Sequence, residues 1–164
     1  MTFQIKDIQA YKPIVVTRKF DTLGLVADLE IKETPTFKNA LRKFQVQFRK
    51  MSQLSEDDFL AENNSEQSLT DEKLMLILIG EYMIKSWNAE KDGELLEPSY
   101  QNLKMVAANY ERDEDMAQIV SNLFTIANDM INEFSDKVRG KDEAAATTKK
   151  KPSKCMTGTK KAAS

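Results

Sequence analysis

The chain has 164 residues, 41% of them hydrophobic and 30% charged, with a formal net charge of −2. That length supports one domain with a real core, or one domain and a tail. With no histidine, Ser-His-Asp and Cys-His catalysis and imidazole metal sites are excluded; the single Cys155 excludes an intrachain disulfide and a four-cysteine metal cage.

Residues Met1 to Tyr11 lack the basic region and apolar core of a signal peptide. The longest apolar run, Leu74 to Ile79, falls far short of the ~20 residues that span a bilayer. The expectation is a soluble intracellular protein.

The first fifty residues read as sheet. Ile14-Val15-Val16-Thr17 is rich in β-branched residues, which suit a pleated backbone. Leu25, Ala27, Leu29 and Ile31 alternate with Val26, Asp28, Glu30 and Lys32, the period of a strand with one buried face. Asp21-Thr22-Leu23-Gly24 supplies the turn of a hairpin. Phe44-Gln45-Val46-Gln47-Phe48 alternates in the same way, although Phe37, Leu41, Phe44, Phe48 and Met51 also fall at helical spacing. A third strand over residues 42–50 is the preferred expectation.

The second half reads as helical. Ser55 and Asp58 are spaced like a capping box, which predicts a short helix to about Glu62, followed by a polar loop over 63–68. Thr70-Asp71-Glu72 opens a stronger helix reaching about Trp87. Its Leu74–Ile79 run is apolar all round, so it needs cover on nearly every side. Either it is a central core helix or it forms a groove that another chain covers. Asn88, Glu90, Asp92 and Gly93 occupy positions one, three, five and six of a calcium loop, but the essential twelfth position is Ser99, and the match fails there.

Pro98-Ser99 starts a further helix with Tyr100, Leu103, Val106, Ala107 and Tyr110 on one face. Asp113 then caps the longest one, whose stripe runs from Met116 through Leu123, Phe124, Met130 and Phe134 to Val138, with Gly140 as its expected stop. Residues 141–164 carry seven lysines against Asp142 and Glu143, a net +5, and leave −7 on residues 1–140. Lacking aromatics, Leu, Ile and Val, this segment cannot offset its ordering entropy and is expected to be a disordered basic tail.

The expected architecture is therefore α+β: a single domain over 1–140, with a small N-terminal antiparallel sheet in 1–51, a bundle of about four helices in 55–139, and the tail at 141–164. Carboxylate pairs such as Asp57-Asp58 and Asp113-Glu114-Asp115 sit where helix starts favour negative charge, so they read as caps rather than acid-base pairs. No glycine-rich phosphate loop is present. The basic tail lacks the interleaved aromatics of a nucleic-acid stacking surface. Neither an enzyme nor a cofactor is expected.

Residues 12–135 resemble the tail assembly chaperones of long-tailed bacteriophages. The similarity rests on Leu69-Thr70-Asp71-Glu72-Lys73-Leu74, Ile79-Gly80, Trp87 through Gly93, Glu94 through Ser99, and Asn102-Leu103. The Phe44–Lys50 stretch with Met51-Ser52-Gln53 before an acidic helix start also looks like the family. The longer start, the 63–68 insertion and the long last helix depart from its pattern. The resemblance implies a non-catalytic factor of the host cytoplasm that coats the tape-measure protein, helps recruit tail-tube subunits and is absent from the finished particle. Trp87, Leu123, Phe124, Met130 and Phe134 are the candidate partner contacts, and each also fits a core position. Two other classes remain open: a structural phage protein or helical adaptor retained in a particle, and a nucleic-acid-associated protein using the basic tail.

Overall fold

Alternation along two eight-residue segments produces the hairpin from which the rest of the fold is built. A computed structural model describes residues 12–53, 70–108 and 113–147. Strand β1 (Val15–Thr22) pairs antiparallel with β2 (Leu25–Lys32), from Val15 opposite Lys32 to Thr22 opposite Leu25. The two-residue turn places Leu23 at φ 52° and Gly24 at φ 85°. Positive φ at both positions gives the twist that joins such strands without splaying them. Val16, Phe20, Leu25, Ala27, Leu29 and Ile31 are buried on the inner face, as the sequence period requires.

The third strand comes from elsewhere in the chain. Residues 42–50 are not a strand; they lie in helix α1 (Pro35–Ser52). Thr34 caps it, accepting from the Phe37 N–H at 3.1 Å, and Pro35 fills the first helical position, where no N–H is needed. Phe37 and Leu41 are buried and Phe44 is half-buried, whereas Val46 is 45% exposed. The 3.6-residue period therefore prevails over the two-residue one, which would have put Val46 on the same face as Phe44.

Helix α2 (Asp71–Leu78) begins as expected, with Thr70 Oγ1 accepting from the Lys73 N–H at 3.1 Å. It does not continue to Trp87. A π-helical turn over Ile79–Met83 follows, and the chain extends into β3 (Ile84–Trp87), which pairs antiparallel with β2 to give the order β1-β2-β3. Lys85 bulges between the pairs Asp28–Ser86 and Leu29–Ile84. Asn88 prolongs the pairing: its Nδ2 donates to Gly24 O, its Oδ1 accepts from the Val26 N–H (both 2.9 Å), and its own N–H donates to Val26 O.

A small hairpin, β4 (Glu90–Lys91) with β5 (Glu94–Leu95), turns at Asp92–Gly93, again with positive φ at both. Ser99 then caps α3 (Tyr100–Ala108) by accepting from the Asn102 N–H at 3.1 Å. The long helix α4 (Asp113–Thr147) packs chiefly along β1 and buries Ile119, Leu123, Ala127, Met130 and Phe134 against the sheet. Gly140 does not stop it: the helix runs on to Thr147, so the first seven residues expected in a disordered tail are helical. The short helix expected at 55–62, the loop at 63–68, and the remainder of the tail at 148–164 lie outside the described residues.

The fold is thus α+β, a small antiparallel sheet with four helices among the described residues. None of those helices is long and apolar enough to cross a membrane.

Candidate interaction surface

Four of the five residues expected to contact a partner are core. Trp87 is 6% exposed and its Nε1 donates to Leu96 O at 2.6 Å. Leu123, Met130 and Phe134 share one line along α4 and are almost wholly covered, with Phe134 edge-on to Phe37 at 5.4 Å between ring centroids. Phe124 is half-buried against the same cluster. The structure brings Leu123, Met130 and Phe134 together, but under the sheet, where they are unavailable to another chain. The apolar stripe of α4 is spent on folding.

Apart from the exposed Val15, Leu23, Val26 and Leu95, accessible apolar surface lies along α1, α2 and the π-helical turn. The middle of α1 and the length of α2 leave between them an open groove of about 140 Å³. Ala40 and Phe44 form one wall, Leu74, Ile77, Leu78 and Tyr82 the other, with Lys43 and Gln47 at the rim. Beside it, Phe48 is 44% exposed and stacks at a tilt on Phe44, with centroids 5.9 Å apart. The all-round apolar run of α2 explains this geometry. Leu74, Met75, Leu76, Leu78 and Ile79 are buried, and Ile77 is left half-open to the groove.

Charge on α1 is one-sided. It carries Lys38, Arg42, Lys43, Arg49 and Lys50 and no acidic residue. Lys38 pairs with Glu33 at 2.8 Å, while Arg42, Lys43, Arg49 and Lys50 have no ion pair among the described residues. On the facing helix Asp71 and Glu72 occupy the first turn, where they favour the positive end of the helix dipole.

On the outer face of the sheet Lys85 pairs with Glu30 and Ser86 donates to Asp28, each at 3.2 Å. The segment tested as a calcium loop is the β4–β5 hairpin, and the Asn88 side chain is committed to β2. No group of three metal-ligating side chains occurs among the described residues. The groove residues Phe44 and Tyr82 were not singled out from the sequence. The signal for Phe44 was its i, i+4 spacing from Phe48 on a helix with five cations and no anion; Tyr82 had none.

Neither a family model, nor a curated protein, nor a solved structure matches this chain.

Proposed function

We propose that the chain is a non-catalytic assembly chaperone that holds an apolar helical segment of a larger partner. The apolar groove between α1 and α2, with Phe48 exposed beside it, carries this proposal. A groove walled by two helices takes the apolar face of a third, the helix-in-groove mode of recognition. Its resemblance to the tail assembly chaperones of long-tailed phages supplies the partner: a tape-measure protein, whose apolar stripes need cover until the tail tube encloses them. The chaperone then works in the host cytoplasm, helps recruit tail-tube subunits, and leaves before the particle is complete. Release needs no nucleotide hydrolysis, because tube polymerisation buries the same surface more favourably.

The test is co-expression with the tape-measure protein encoded nearby, followed by affinity purification and by analysis of mature particles. Co-purification, with absence from the particle, is the expected result. Finding the chain at stoichiometric amounts in mature particles would overturn the proposal in favour of a retained structural subunit.

A further inference from the structure

We infer that the groove between α1 and α2 selects an acidic amphipathic helix, whose carboxylates lie along the α1 rim. This rests on the groove being the binding surface, and it adds the chemistry of the occupant. Residues 1–140 carry a net charge of −7, yet α1 alone carries five cations and no anion. Among the groove's lining residues the one charged side chain is a cation, Lys43. Lys43 is at the rim, and Lys50, seven residues on, falls on nearly the same line of the helix about 10 Å away. That spacing suits two acidic residues seven apart on a docked helix.

The opposite wall, Leu74, Ile77, Leu78 and Tyr82, carries no charge. The first turn of α2 carries Asp71, Glu72 and Lys73, a net −1, so a carboxylate on that side gains no net attraction. An occupant whose acids flank only one side of its apolar stripe can thus satisfy α1 in one orientation and not in the reverse. The apolar floor supplies affinity without direction, and the charges supply direction and selectivity.

The experiment uses the full chain and two fluorescent helical peptides with the same apolar stripe, one flanked by glutamates and the other by lysines. Anisotropy titrations should show the glutamate peptide binding, with affinity falling as salt rises. The lysine peptide should bind at least about tenfold more weakly. Lys43→Glu combined with Lys50→Glu should reverse that order while leaving the melting temperature in place; Phe48→Ser should weaken both peptides. Equal binding of both peptides by the wild type, unmoved by charge reversal, would overturn the electrostatic inference but leave the groove intact as a binding surface. Binding of neither would remove the groove as well. A dimer that peptide must dissociate would make a second copy the occupant. Residues 54–69 contain Glu56, Asp57 and Asp58, and displacement of the glutamate peptide by a free 54–69 peptide would put the occupant within the chain. Either result overturns the inference.

Discussion

Gly80 is the position where the backbone leaves no room. A Cβ there would stand 2.8 Å from both Cα and N of Tyr100, and these are backbone atoms that cannot rotate away. Next to it, the Glu81 carboxylate accepts from the Tyr100 N–H at 2.7 Å, so the π-helical turn and the start of α3 hold each other in close contact. Gly80→Ala is expected to destabilise the protein by about 1–3 kcal/mol, the range for overpacking a tight contact, as read by urea unfolding. Glu133 gives a pH-dependent case. It hydrogen-bonds Lys137 at 2.8 Å and pairs with Arg18, and these two contacts, that with Lys137 foremost, hold its carboxyl below the ordinary glutamate value. A carboxylate whose pKa is lower when folded adds stability above its unfolded pKa. That contribution fades as the pH falls through the folded value. The melting temperature of Glu133→Gln should therefore lie below that of the wild type at neutral pH and converge with it under acid. A gap that stays constant across that range would exclude ionisation as its source.

At the scale of elements, stripes and strands that bury against one another were legible, and those defined by a distant partner were not. The β1–β2 hairpin follows from alternation and a Gly-containing turn, α4 from its long 3.6-residue stripe, and Thr70 and Ser99 act as the caps their positions suggest. The 42–50 stretch satisfied two periods at once, and only burial decides between them; Leu41 and Phe37, one and two turns before Phe44 on the same face, tip it to helix. β3 has four residues, too few to show a period, and its identity comes from β2, almost sixty residues earlier. The candidate site was obscured for a related reason. Sequence ranks apolar character but not exposure, so the strongest stripe, that of α4, pointed to the core. Phe134→Ala and Phe48→Ser separate the two cases. The first should cost about 3–5 kcal/mol, because it removes a covered ring and its edge-on contact with Phe37. The second should leave the melting temperature nearly unchanged while impairing peptide binding, as calorimetry and anisotropy on the same samples would show.

Across the whole molecule, α4 ties the first strand to the far end of the described chain. Its 35 residues span about 50 Å, long enough to cross the sheet and return its last turns to where β1 begins. There Glu33, whose side chain is only 4% exposed, accepts from the Ile14 N–H at 2.9 Å and pairs with Lys38 at 2.8 Å and Lys141 at 3.3 Å. Lys141 also donates to Lys12 O at 2.5 Å. One buried carboxylate thus joins the start of β1, Lys38 of α1 and the last part of α4. The composition of residues 141–164 suggests that a cut after Gly140 would leave the body untouched, but these contacts predict otherwise. Ending the chain after Gly140 should lower stability by about 1 kcal/mol, since Lys141 is itself 41% exposed and only one end of the pair is desolvated. Lys141→Ala in the full chain should reproduce most of that loss if the ion pair is what the segment contributes. In a Glu33→Ala background, removing Lys141 should then cost little, because its partner has gone and the effects of coupled residues do not add. Urea unfolding of the four proteins in that cycle checks the point. Strict additivity would mean that the end of α4 is held by something other than Glu33.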